Sequence, residues 1–332
     1  MGSDGWTTMR TAWQAALYGP GGFYRIEQPA DHFRTSTHVS PHFAGAVLSI
    51  AREHDVATIV DVGAGAGELL TAIRGHDSEI DLVAVEVRPA PSALPRGIEW
   101  RMTEGDGVET VAALSAGPIL LVANELLDNI PCDVVELTDD GLRVVEVHLP
   151  TGRERLGGPP DPAAVAWIER WWPVDAPRQR AVVGLARDAA WAQLCASVSD
   201  GVCIAIDYGH LLRDRPPTES PTSYRHGRQT SARFDGRHDV TAPVAFDSVA
   251  SVVGGRVARQ RDVLTQRLAR PDRPAVDLAT ADPIDYLRRL SSAGDWRELT
   301  ASDGLGGFWW IETPCGLRDV AATMGAESEV AR

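Results

Sequence analysis

The chain has 332 residues, 44% of them hydrophobic, enough to bury one large core or two modest ones. A formal charge of −14 disfavours a nucleic-acid partner, because phosphate binding rests on basic surface that releases counterions. All 32 basic residues are arginines. The lack of lysine excludes a Walker loop ending in Gly-Lys and any lysine Schiff base.

In chain order, Trp6 to Leu17 carries apolar residues near helical spacing and stops at Gly19-Pro20-Gly21-Gly22, which predicts an N-terminal helix outside any central sheet. A second helix opens at Ser40 or Pro41 and repeats Phe43, Val47, Leu48 and Ala51 on one face. The pattern then changes. Ala57 to Val62 is a short β-branched run, glycines follow, and Leu69, Leu70 and Ile73 share the face of a helix; Asp81 to Glu86 and Gly117 to Val122 are further buried strands. Val134 to Leu137 and Leu142 to Leu149 read as a hairpin around Thr138-Asp139-Asp140-Gly141. Pro150 to Pro177 has no period and is expected to be irregular. A helix from about Leu185 to Ser197 leads into a buried strand, Val202 to Asp207. His210 to Asp239 holds too little apolar material for a core and reads as a long functional or mobile loop. Val244 to Val253, Arg256 to Asp262, Ile284 to Leu290 and Phe308 to Ile311 complete an alternation that implies a parallel sheet covered on both faces. No apolar run reaches the roughly 20 residues of a membrane span, and Met1 to Arg10 lacks the order of a signal peptide, so the expectation is a cytoplasmic protein with no membrane partner.

Asp61-Val62-Gly63-Ala64-Gly65-Ala66-Gly67 joins a strand to a helix. Glycine is needed where the backbone turns sharply and approaches a ligand, and the helix start offers free amides. A dinucleotide fingerprint would place Gly or Ala where this chain has Glu68, whose bulk and charge argue against a dehydrogenase. Glu86 ends the next strand, where a carboxylate accepts ribose hydroxyls. The expected ligand is therefore S-adenosylmethionine, held by Asp61, Gly63, Gly65, Gly67 and Glu86. Asp106 is a candidate for the adenine amino group, although a simple turn would also account for it.

Asn124 and Glu125 follow the next strand directly, at the carboxyl edge where doubly wound sheets bind ligands. Asn124 is grouped with the cofactor residues. Glu125 and Asp128 face the same way if a helical turn begins there, and Asp207 ends a neighbouring strand. These three are the candidate catalytic carboxylates; helix caps and loop carboxylates are the plainer alternative. His226, in the long polar loop, is the candidate proton acceptor. Cys132, Cys195, Cys203 and Cys315 form no Cys-x-x-Cys pair and no His-x-x-x-His occurs, so the reading is reduced core thiols and no metal.

These residues resemble the MidA family of methyltransferases, whose mitochondrial members assist assembly of respiratory complex I. The similarity covers most of the chain. It is carried by Tyr18-Gly19-Pro20-Gly21-Gly22-Phe23-Tyr24, Asp31-His32-Phe33-Arg34-Thr35-Ser36, Asn124-Glu125-Leu126-Leu127-Asp128-Asn129-Ile130-Pro131, Asp207-Tyr208-Gly209, Tyr224-Arg225-His226, Asp239-Val240-Thr241-Ala242-Pro243-Val244 and Thr265-Gln266, in the family's order. Thr37-His38 stands where the family has Pro-Glu, Phe43-Ala44-Gly45 where it has Phe-Gly-Glu, and an expected glutamate near Val182 is missing; these departures bear on the substrate more than on the cofactor. The resemblance implies an α/β fold: a doubly wound, Rossmann-like class I methyltransferase with a seven-stranded, mostly parallel sheet and an antiparallel last strand. An N-terminal helical extension (1–54) would precede the methyltransferase domain (55–332), with insertions at about 132–180, including the hairpin, and 210–240. It also implies transfer to a protein arginine. A small-molecule O- or N-methyltransferase of secondary metabolism and a non-catalytic cofactor-binding assembly factor are the alternatives. The partner is thus a protein substrate or a small methyl acceptor, and homo-oligomerisation is left open.

Overall fold

Short runs rich in Val and Ile form the centre of the molecule. In the computed structural model, which describes residues 5–27, 36, 41–105, 107–114 and 117–316, they become β1 (Thr58–Val62), β2 (Asp81–Glu86), β3 (Ile98–Met102), β4 (Ile119–Asn124), β5 (Asp200–Asp207), β6 (Arg256–Arg259) and β7 (Trp309–Gly316). They lie in the order β6-β7-β5-β4-β1-β2-β3. β1 to β5 pair in parallel, and β7 runs antiparallel to both β5 and β6. Every residue of β1 is buried, the signature of a strand covered on both faces. One face packs under the helices Pro41–Glu53, Glu68–His76 and Pro283–Thr300, the other under Leu185–Ser197 and Phe246–Ser251. The winding reverses between β1 and β4. A crevice opens at such a switch point, beyond the carboxyl ends of the strands.

A second sheet stands beside the first. Trp6–Thr8, Gly141–His148, Asp133–Thr138 and Arg180–Val183 lie in that order, with Arg153–Leu156 paired to Gly141–His148. One expectation is corrected here and another is extended. Helix begins only at Met9, because Trp6–Thr8 extends to pair with Glu146 to His148 while Thr8 caps the helix by accepting the Thr11 amide at 3.3 Å. The hairpin is two strands of a five-stranded sheet, which buries Val134, Val135 and Val145, from its two faces, in one cluster with Met9, Trp13 and Leu17. Val182, near which the resemblance places a glutamate, is buried there opposite Val134.

The stretch read as irregular contains the helix Pro162–Trp171, which Asp161 and the N1 proline start despite the surrounding Pro and Gly. The segment read as a long loop is also structured. Thr222–Arg225 pairs with Arg228–Ser231 and with Asp239–Thr241, and Ser223 and Asp239 are buried. Trp13 Nε1 donates to the Val240 carbonyl at 2.8 Å and ties the first helix to this small sheet. Among the described residues no helix is long and apolar enough to cross a membrane.

Candidate active site

The loop after β1 is shaped by its glycines. Gly63, Gly65 and Gly67 have φ of 75°, 63° and 81°, a left-handed region that penalises any residue with a Cβ. The Gly63 amide donates to the Val85 carbonyl at 2.9 Å, fastening the loop to the end of β2. A Cβ at Gly67 would come within 2.8 Å of Leu94. Glu68, the residue inconsistent with a dinucleotide fingerprint, turns its carboxylate back onto the Ala66 amide at 2.9 Å and fastens the loop to the first turn of the Glu68–His76 helix, where a negative charge is favoured.

Glu86 closes the loop from the side. Its Oε2 accepts the Gly65 amide at 2.9 Å, while Oε1 accepts from the Val87 amide at 3.0 Å and from Arg88 Nε at 3.4 Å. Asp61, one strand over, is buried. Burial, reinforced by the charges of Glu68 and Glu86, pushes its carboxyl up to about 8.

At the tip of β4, Asn124 has a buried Oδ1 with no hydrogen-bond partner among the described residues. Glu125 follows with φ of 50°, unusual for a side chain of that size, and its amide is pinned to the Ile206 carbonyl at 2.7 Å. Glu125 Oε1 accepts from the Ser36 amide at 3.2 Å and from Asn124 Nδ2 at 3.4 Å. Burial, and after it the neighbouring Asp128, raises the Glu125 carboxyl to about 8.

Behind Glu125 lies a buried network. Asp207 is fully enclosed, with Oδ2 accepting the Asp128 amide and Oδ1 the Tyr208 amide, at 2.9 and 2.8 Å. Asp128 Oδ2 accepts from the Thr241 hydroxyl, and Oδ1 has no hydrogen-bond partner among the described residues. The Arg187 guanidinium, 1% exposed, donates to the carbonyls of Asp128 and Ala242 at 2.8 and 3.0 Å through Nη2 and to Pro243 at 2.8 Å through Nη1. Asp239 Oδ1 collects Tyr24 Oη at 3.1 Å and Asn129 Nδ2 at 3.0 Å. Burial first, then the surrounding carboxylates, raises Asp207 and Asp239 well above the usual range.

A cavity of about 540 Å³ opens over this edge. Asp61, Gly63, Gly65, Glu86, Asn124 and Glu125 line it; Gly67 caps the helix just beyond. The far wall is built from Arg10, Gln14 and Tyr18 of the first helix, Tyr24, and Ala189 and Gln193 of Leu185–Ser197. Of the four candidate catalytic residues, Glu125 alone reaches the cavity. Asp128 and Asp207 support it from behind because their oxygens face main-chain amides and Thr241. His226 sits exposed at the turn between Thr222–Arg225 and Arg228–Ser231, apart from the cavity, since a polar hairpin tip is stable only in water. Asp106 lies outside the described residues, as does most of the 31–38 segment; Glu104 and Gly105 beside it line the cavity.

Sequence reasoning gave no role to Arg187, to Glu68 as a fastener of the loop, or to Asp239, although Asp239 lies within a quoted motif. What could have flagged Asp239 is the joint placement of Tyr24, Asn129 and Asp239 in three separate motifs, now bound to one another.

A glycine cradle closed by a strand-end carboxylate, set at the switch point of a seven-stranded mixed sheet, fits a nucleoside with a short charged tail. This is an S-adenosylmethionine-dependent methyltransferase. Residues 43–262 match the family described as "Putative S-adenosyl-L-methionine-dependent methyltransferase", and the chain belongs to that family. No curated protein matches the chain. Its fold is similar to that of a Burkholderia thailandensis protein crystallised with S-adenosyl-homocysteine (TM-score 0.72, 20% identity, 93% of this chain and 88% of that one). It is equally similar to a native structure of a protein from the same organism and superfamily (TM-score 0.72, 21% identity, 93% and 87%).

Proposed function

We propose that this methyltransferase modifies a guanidinium nitrogen of an arginine in a protein. Bound S-adenosylmethionine supplies an electrophilic methyl on sulfonium. The chain's task is then to hold the cofactor, align the acceptor and stabilise its charge. Gly63, Gly65 and Gly67 let the backbone approach the ligand, Glu86 is positioned for ribose hydroxyls, and the orphan Oδ1 of Asn124 offers one more acceptor. Alignment for in-line displacement supplies much of the rate.

The observation that carries the acceptor class is Glu125, a carboxylate held in strained backbone at the cavity wall with further buried carboxylates behind it. A guanidinium stays protonated at neutral pH and needs compensating carboxylates when drawn from water. Its arrival would return Glu125 to the ionised form, and hydrogen bonds from the guanidinium to that carboxylate would localise electron density on the attacking nitrogen. Asp128 and Asp207 would act through Glu125 by fixing the turn that carries it. The ordered motifs support membership of the MidA branch, a doubly wound class I arrangement, and the division at about residue 54 with insertions at 132–180 and 210–240.

Incubating the enzyme and labelled S-adenosylmethionine with lysate fractions, then locating the label by mass spectrometry, tests the reading. Label on an arginine nitrogen of a protein is the expected result. Label on oxygen or carbon of a small metabolite overturns it, and so does cofactor binding with no labelled product in any fraction, which is the behaviour of an assembly factor.

A further inference from the structure

Three of the four cysteines, two of them eight residues apart and the third more than a hundred residues on, meet at the edge of the sheet opposite the cofactor loop. Cys195 comes from the Leu185–Ser197 helix, Cys203 from β5 and Cys315 from β7. The β5–β7 register pairs Gly201 with Cys315 and Cys203 with Thr313, so the two strand cysteines are diagonal neighbours on one face, and the helix lowers Cys195 onto that face. Cys203 and Cys315 sulfurs are 3.4 Å apart, and all three sulfurs lie within 4.8 Å of one another. They are 6%, 0% and 9% exposed, in a cluster that includes Ile119, Leu121 and Val198.

We propose that Cys195, Cys203 and Cys315 form a three-thiolate site for a soft closed-shell cation such as Zn(II), Cd(II) or Cu(I). With metal–sulfur bonds of about 2.3 Å, an ion centred among three sulfurs spaces them about 4 Å apart, within the range found here. The donor set is all sulfur, which selects soft ions over Mg(II) or Ca(II). Cys315, the most exposed of the three, sits one residue before the Asp200–Gly316 pair that ends the β5–β7 ladder. On binding, each metal–sulfur bond replaces an S–H bond and the proton goes to solvent; no electrons are transferred. The ion would latch the Leu185–Ser197 helix, which walls the cavity along its length from Ala186 to Leu194, to β5 and β7. It would not touch the reacting atoms.

Titrating the reduced full-length chain with Cd(II) under argon tests this. Wild type is expected to bind about one equivalent with a thiolate-to-metal charge-transfer band, proton release and a raised Tm. Cys203→Ser should weaken binding at least about tenfold, whereas Cys132→Ser, at a buried thiol outside the trio, should leave it unchanged. Saturable binding that persists in Cys203→Ser, or no saturable binding in wild type, overturns the site. Should Cys203→Ser not fold, X-ray absorption of the Cd(II)-loaded wild type decides: three sulfur neighbours support the proposal, and a shell of oxygen and nitrogen overturns it.

Discussion

Glu86 and Gly65 are joined by a 2.9 Å hydrogen bond from the loop amide to the strand-end carboxylate, so two residues proposed to meet the cofactor hold each other. The loop is thereby pre-shaped before any ligand arrives, and either residue can be tested through the other.

Gly65→Val forces a β-branched residue into φ of 63° and places a Cβ about 3.1 Å from the Glu68 carboxylate. We expect S-adenosylmethionine and S-adenosylhomocysteine to lose at least about tenfold in affinity, a change of ~1.4 kcal/mol, with nicotinamide dinucleotides bound by neither form. Glu86→Ala should act in the same direction by freeing the loop and removing the ribose acceptor. Calorimetry reads both; unchanged affinity in the two variants would mean that the cofactor lies elsewhere.

Glu125→Gln keeps the acceptor used by the Ser36 amide and removes the charge. Methyl transfer should fall at least about tenfold, or ~1.4 kcal/mol of transition-state stabilisation, with cofactor affinity nearly constant. Because the free enzyme's Glu125 titrates at about 8, its ionised form grows as pH rises through that value, and kcat/KM should rise between about pH 6 and pH 9. The variant should lose that inflection. A wild-type profile flat across this range contradicts the assignment.

Asp207→Asn places an amide N–H against one of two main-chain N–H donors, because both carboxylate oxygens are in use. The loss should be about 1–3 kcal/mol of stability, together with reduced transfer as the Glu125 turn loosens. Chemical denaturation separates this from Glu125→Gln, which should leave the midpoint near that of wild type. Equal stability in Asp207→Asn and wild type would remove its structural role.

Asp61 gives a pH dependence opposite to the usual carboxylate. Its folded pKa is raised to about 8, so between its unfolded value and that one the native state binds more protons than the unfolded chain. Its contribution to stability is present at low pH and is lost as pH rises through this window. Asp61→Asn should therefore raise Tm relative to wild type most at about pH 8 and little near pH 5, as thermal scans of the ligand-free protein across that range would reveal.

The cofactor half of the site was legible because it is local: a strand, three glycines, a helix and Glu86 lie in one short stretch, and each residue type answers a backbone or charge requirement there. Asn124 and Glu125 were legible for the same reason, as strand-end residues at a switch point. The supporting network was not. Asp207 looks like a ligand in sequence, yet one of its oxygens is taken by the amide of the next residue and the other by the Asp128 amide, which folding brings close. Trp6–Thr8 reads as helix by apolar spacing until its partner, Glu146 to His148, is known. The cysteine spacing suggested no cluster, since β5–β7 register and the return of one helix assemble it.

The pairing of Trp6 with His148 also bears on how the molecule folds and breathes. The strand immediately before the helix bearing Arg10, Gln14 and Tyr18 finds its partner only after β1 to β4 have all been traversed. Such contacts form slowly, because chain entropy is lost across the whole intervening length before any hydrogen bond repays it. The glycine cradle, built from neighbours, can mature while that wall is still open. In the finished protein the same wall packs in a cluster separate from those of the central sheet, so its local opening would leave that sheet in place. Exchange of its amides with solvent, faster than in β1 and slowed by ligand, would be the trace of acceptors and spent cofactor passing on that side.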